Sequence, residues 1–286
     1  MNFVFDFGNL KKEDEERYIN SMVEKTFEIF NNKNNKIINK YKDLSKAASK
    51  CISICQNFIR EFCDISSVSL REVRRFDLLF KWFIEYYKIK KEVLEEETKK
   101  NNQLNIKQSD NILNFLKKDK FELCKNAANL SIYMCYYIRI SNRKNRKQLS
   151  QKLNEYFNNN FLKIPIEESL FIVENVKLER GTAKNQALLE NIFSLFVCIL
   201  NKIPLFIVGK PGTIKSMSVQ IIYNSMKGQN SSNPFFKKFK SLLLYPYQGS
   251  DTSTSKGVLN IFQKARDPIK RSIENKKELT FFSCLF

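Results

Sequence analysis

One eight-residue run constrains the fold more than any other part of this 286-residue chain. It reads Gly209, Lys210, Pro211, Gly212, Thr213, Ile214, Lys215, Ser216. It follows the pattern G-x-x-x-x-G-K-[S/T] at every fixed position but one. Ahead of it, PLFIVG at 204–209 is a continuous apolar run of strand length, and 215–226 has helical character. Strand, loop and helix in that order are the context the motif requires. In such a loop the backbone N–H groups at the helix N-terminus cup phosphate oxygens. Lys215 is expected to reach the β- and γ-phosphates of ATP, and Ser216 to hold Mg2+ through the nucleotide. The departing position is Ile214, which stands where the pattern has its second glycine. A β-branched residue resists unusual φ and adds bulk beside the phosphates.

The rest of 166–286 alternates in kind. LLLYPYQ at 242–248 and LTFFSCLF at 279–286 read as further strands. Helices are expected at 184–202, 215–226 and 255–265, the last stopping before Pro268 because the residue preceding a proline resists the helical region. The stretch 166–180 reads as short and mixed. Strands alternating with helices predict a parallel sheet.

Before Pro165 the pattern is helical throughout, and only 7 Gly and 6 Pro in the whole chain favour long helices. A first helix from residue 11 puts Tyr18, Met22, Phe27 and Phe30 near one face. After a loop at 31–36, a second runs from near Asp43 to Phe62. Ser69 reads as the N-cap of a third, with Val73, Phe76, Leu79, Phe80, Phe83 and Tyr87 at helical spacing. Residues 88–110 read as a helix end plus a surface insertion, followed by helices at 121–140 and 143–157. The expected fold class is therefore all-α plus α/β, with domains 1–165 and 166–286.

Hydrophobic residues make up 43% of the chain, enough for a sizeable core. The formal net charge is +19, but the positive residues are scattered along the sequence, and no aromatic–basic stacking motif accompanies them. Nucleic acid is not the expected partner. Seven Cys and no His exclude a His-based triad and a Cys/His zinc site. Cys51 and Cys55 are spaced for one helix face. Cys63, Cys124, Cys135, Cys198 and Cys284 stand among apolar residues and read as reduced core thiols, which points to a cytoplasmic protein. The start turns acidic at once, unlike a signal peptide. The longest apolar stretch, at 192–200, falls short of the ~20 residues that span a bilayer. Asp6-Phe7-Gly8 spells a kinase signature, but no H-R-D loop can exist without His.

Two long segments carry a family resemblance. LERGTAKNQALLENIFSLFVCILNKIPLFIVGKPGTIKSMSVQII is similar to the entry into an AAA module of the mysterin family, giant RING-finger AAA+ ubiquitin ligases with a GKPGSSKS loop at this point. FFKKFKSLLLYPYQGSDTSTSKGVLNIFQKAR resembles the second strand, a Q-x-S-x-x-S-T-x-x-G turn and the next helix of that family. SVSLREVRRFDLLFKWF resembles the S-L-R-D-V-x-R helix of a sensor-2 lid, and MNFVFDFGNLKKEDEERYI and the helices at 121–157 also fit, less specifically.

The resemblance implies that 1–165 is the helical, lid-like C-terminal part of one AAA module. Residues 166–286 would then be the α/β half of the next, truncated before its Walker B carboxylates. Arg71, matching the lid arginine, would serve a different nucleotide from the one at Lys215. ATP and Mg2+ follow as cofactors, with the remaining AAA modules of a larger polypeptide, or a partner chain, completing the site. Ubiquitin machinery is implied for the family, but no RING cysteines are present in these residues. Two alternatives stand beside this reading: a stand-alone P-loop NTPase completed by a partner, and a basic nucleic-acid-binding scaffold with a decayed phosphate loop.

Overall fold

Ser69 and Glu72 show how locally the helices of this chain are specified. The Ser69 Oγ accepts from the Arg71 N–H at 3.3 Å, and the Glu72 carboxylate reaches back to the Ser69 N–H at 2.7 Å. This reciprocal capping box starts a long helix at the expected cap. The computed structural model describes residues 11–28, 35–63, 67–100, 112–157, 159–210, 212, 214–247, 249–274 and 279–285. Its helices are α1 (Lys12–Glu28), α2 (Asn35–Phe62), α3 (Leu70–Lys100), α4 (Lys120–Ile132), α5 (Arg143–Asn154), α6 (Lys163–Asn175), α7 (Gln186–Leu200), α8 (Lys215–Ser225), α9 (Pro234–Lys237) and α10 (Ser255–Glu274), with a helical segment at 112–116. The strands are β1 (Ser241–Tyr247) and β2 (Leu279–Leu285).

The chain divides into two units, one of residues 1–87 and 113–165, the other of 88–112 and 166–286. Helix α3 thus begins in the first and ends in the second. In the first unit α3 buries Val73, Phe76, Leu79, Phe80, Phe83 and Tyr87, the face its spacing predicts. Helix α1 is held to α2 by a bidentate pair, Arg60 to both Glu15 oxygens at 2.7 Å, and to α3 by Thr26 donating to Asp77 at 2.7 Å. Its buried face is Ile19, Val23, Thr26 and Phe27, so Tyr18 and Met22 lie at the margin rather than at its centre. Phe30 lies outside the described residues, as do the Asp6-Phe7-Gly8 triplet and most of the expected loop at 31–36. Helix α2 starts earlier than expected, at Asn35, because a polar stretch without Gly or Pro contains nothing that must stop a helix. The expected helix at 121–140 is α4 followed by a π-helical turn, Tyr133–Tyr137, all of it buried.

Helix α6, which enters the second unit at Ile166, occupies most of the stretch read as mixed. Pro165 falls in its first turn, where the missing N–H has no helical partner to lose. Helix α7 is apolar nearly all round and buried accordingly. Phe196 meets Phe235, Phe236 and Phe239, and Phe171 packs edge-on to Phe235 at 5.2 Å. Lys90 and Glu168 form a buried ion pair at 2.7 Å, with the Lys90 ammonium 4.0 Å from the centre of the Phe171 ring. β1 and β2 pair in parallel, from Ser241 opposite Leu279 to Tyr247 opposite Leu285. Gln248 and Phe286, the ends of the two expected strands, lie outside the described residues.

Cys63, expected in the core, is exposed just past the end of α2, where no further helical turn covers it. Two further expectations fail. Residues 204–209 are not a sheet strand: among the described residues β1 and β2 pair only with each other. Leu205 and Ile207 are half-buried while Phe206 and Val208 are 88% and 94% exposed. A run that is apolar on both faces suits a strand covered on both, and here one face alone is covered. Helix α10 does not stop before Pro268 but continues to Glu274. A proline inside a helix removes one backbone bond and strains the preceding turn, a cost this twenty-residue helix absorbs.

Candidate phosphate-binding site

Helix α8 starts without the device its neighbours use. Asp119, Asn142, Asn185 and Asn233 each cap a helix with a side-chain oxygen. α8 is preceded by Ile214, which has no such oxygen, so its N-cap residue supplies no side-chain bond to the first turn. Uncapped donors at the positive end of a helix are a ready site for an anion. The chain enters this turn through two left-handed residues, Gly212 at φ 78° and Ile214 at φ 62°. Gly212 suits that conformation, and apart from its two chain neighbours no residue lies within 4 Å of where its Cβ would stand. Ile214 does not suit it: a β-branched residue at positive φ is an outlier. The sequence expectation that Ile214 opposes the loop's geometry therefore has a structural counterpart.

The Lys215 ammonium turns back over the loop and donates to the Gly209 and Lys210 carbonyls, the latter at 3.0 Å. Ser216 is exposed in the first turn, and the Ser218 Oγ donates to the Ile214 carbonyl at 2.8 Å. The structure thus brings Gly209, Lys210, Gly212, Ile214, Lys215 and Ser216 into one loop and helix start. Pro211 and Thr213 lie outside the described residues. Arg71 belongs to the other unit, exposed in the first turn of α3. Among the described residues no group of three or more Cys, Asp or Glu side chains could hold a metal ion, and no helix is long and apolar enough to cross a membrane.

Beyond the C-terminal end of β1, the turn that the resemblance singles out is tied by its own hydroxyls. The Ser250 N–H donates to Ser253 Oγ at 2.7 Å and the Gly257 N–H to Thr254 Oγ1 at 3.3 Å. Gly257 lies close to Tyr247: a Cβ there would stand 2.8 Å from the Tyr247 hydroxyl, which would have to shift. Sequence reasoning missed one grouping altogether: Arg75 and Arg139 converge on Glu72 at 3.4 and 3.3 Å. They are 64 positions apart, so no local pattern joins them.

Residues 181–285, which contain the loop, α8, β1, α10 and β2, match the family model of the RNF213 AAA domain. This is an RNF213-type sequence. It is 30% identical over 267 residues to the human E3 ubiquitin-protein ligase RNF213, 28% over 273 residues to the zebrafish (Danio rerio) E3 ubiquitin-protein ligase rnf213-beta, and 26% over 270 residues to the mouse RNF213. Each match takes in 91% of this chain and 5% of the relative, so the chain spans about a twentieth of their length. RNF213 (mysterin) is the ligase of the family whose segments the sequence resembles, and the similarity runs well beyond the matched AAA domain into the helical first unit. An AAA-type domain is a nucleotide-binding architecture, and the loop at 209–216 falls within it.

Proposed function

We propose that the loop at 209–216 binds the phosphates of ATP, with Mg2+ held through Ser216. One observation carries the reading: the N-cap residue of α8 supplies no side-chain cap and follows a left-handed glycine turn, with the Lys215 ammonium held on the loop's own carbonyls. On binding, Lys215 exchanges those carbonyls for phosphate oxygens, and the first turn of α8 gains the acceptor that the Ile214 side chain cannot supply. Bound Mg2+ would offset the negative charge of the phosphates.

In this reading 1–165 is the lid-like end of one AAA module and 166–286 the first half of the next, and Arg71 serves the nucleotide of the former. The chain works within a larger cytoplasmic polypeptide whose other modules complete the site. Binding is what these residues account for. Hydrolysis also needs a carboxylate to orient water and a cation to meet the developing charge. Ubiquitin transfer is in the names of the relatives, and no step of it is assigned to these residues.

Titration with a fluorescent ATP analogue tests the site. Lys215→Ala removes a charged donor and is expected to weaken binding about ten- to a hundredfold. Equal affinity of the two proteins would sink the assignment.

A further inference from the structure

The fold of the first unit brings together some of the charge that looks scattered in sequence, with Arg75 and Arg139 meeting at Glu72. Arg71, Arg74 and Arg75 follow one exposed strip of α3, continued by Leu78 at 44% exposure. The spacing i, i+3, i+4, i+7 puts all of them on one side, with Val73, Phe76 and Phe80 buried on the other. Cations in the first turns of a helix stand at the wrong end of its dipole, so helix stability does not account for them. Their local carboxylate, Glu72, is buried and committed. It accepts from the Ser69 N–H and Oγ at 2.7 and 3.2 Å, and from the Arg75 and Arg139 guanidiniums. Arg139 donates as well to the Ser67 carbonyl at 2.8 Å. One carboxylate therefore serves two arginines, and among the described residues none is left for Arg74.

Four residues after Arg139, α5 adds further positive charge to the same unit. That helix has no acidic residue, and Arg143, Lys144 and Lys147 are exposed on it. Arg146 fastens α5 in place: it donates to the Ile138 and Ile140 carbonyls and lies 5.5 Å from the centre of the Tyr137 ring. Among the described residues no carboxylate pairs with Arg74, Arg143 or Lys147.

We propose that this surface docks an acidic protein segment that also carries apolar side chains. Guanidinium forks match carboxylates two bonds at a time, and arginine is enriched where protein surfaces meet. Leu78, in line with the arginines, offers apolar area to such a partner. Nucleic acid fits less well, because the strip presents an aliphatic side chain where base stacking requires an aromatic one.

The test is fluorescence anisotropy of the full 286-residue chain with a fluorescein-labelled peptide of repeated Glu-Glu-Leu units. Arg74→Glu on α3 and Arg143→Glu on α5 are each expected to weaken binding about three- to tenfold, mainly through a slower on-rate that salt suppresses. Lys12→Glu, an equal charge change on exposed α1, is expected to leave affinity unaltered. Circular dichroism checks that the variants fold. Neither variant touches Arg71 or the loop at 209–216, so the result is separate from nucleotide binding. Equal loss in the Lys12 control, or no loss in the arginine variants, overturns the proposal. So does a labelled oligouridylate that outbinds the peptide and is lost by the same variants.

Discussion

Ile214 has the most testable backbone in the chain. Its φ of 62° is shared, among non-glycine residues described, with Asn159 and Lys202, and neither of those is β-branched. The left-handed region costs an L-residue about 1–2 kcal/mol, and glycine avoids that cost. Ile214→Gly is therefore expected to raise the denaturation midpoint by about 1 kcal/mol of stability and to tighten the ATP analogue. Ile214→Ser removes bulk but keeps a Cβ, so it should tighten binding less. No change in either variant, by chemical denaturation and by titration, would mean the loop carries isoleucine without strain. A second residue-scale outcome concerns the thiols. Burial pushes Cys51 and Cys124 from 9.0 up to about 12. A thiol held protonated in the fold adds stability that is fully present below about pH 9 and is lost as pH rises toward 12. Denaturation midpoints should fall across that window, and Cys51→Ala with Cys124→Ala should flatten the fall; an equal slope in the double variant would assign it elsewhere.

At the scale of elements, legibility followed whether the deciding interaction was local. The capping box at Ser69 and the buried face of α3 are set within a few residues of each other, and both were readable from spacing alone. The loop was readable as a motif, and so was the conflict at Ile214. The residues 204–209 were misread because a strand needs a partner, and an apolar run does not say whether one is present. Pro268 was misread because a boundary rule is weaker than a long helix already propagating. Residues 88–110 were read as a helix end plus a surface insertion because they are polar and charged; α3 does run to Lys100, yet Lys90 on it is buried against Glu168, 78 positions away in sequence, and against Phe171. Removing one member of such a pair strands the other: Glu168→Ala should cost about 3–5 kcal/mol in urea denaturation. Lys90→Met combined with Glu168→Leu should recover most of that loss, since an apolar pair of similar volume needs no partner charge. If the double variant is as unstable as the single one, the contact contributes packing rather than charge compensation.

The whole molecule offers a direct way to ask where nucleotide acts. The chain has one tryptophan, Trp82, which stacks on Tyr86 at 5.5 Å in the first unit, whereas the loop at 209–216 belongs to the second. Each unit has its own core: Phe76, Phe80 and Phe83 in one, Phe193, Phe196, Phe235 and Phe236 in the other. Units with separate cores can unfold in separate transitions. A ligand that binds only the native form of one unit stabilises that unit by about 2.7 kcal/mol at a hundredfold excess over Kd. Tryptophan fluorescence reports the first unit, and far-ultraviolet circular dichroism reports the helices of both. With ATP and Mg2+ added, part of the dichroism melt should move to higher temperature while the Trp82 transition stays where it was. Lys215→Ala should abolish the shift, because the ligand then has no anchor in the second unit. A Trp82 transition that rises together with the dichroism, in the wild type and not in Lys215→Ala, would show that the two units unfold as one. The nucleotide's stabilisation would then be shared across the chain rather than confined to the half that contains the loop.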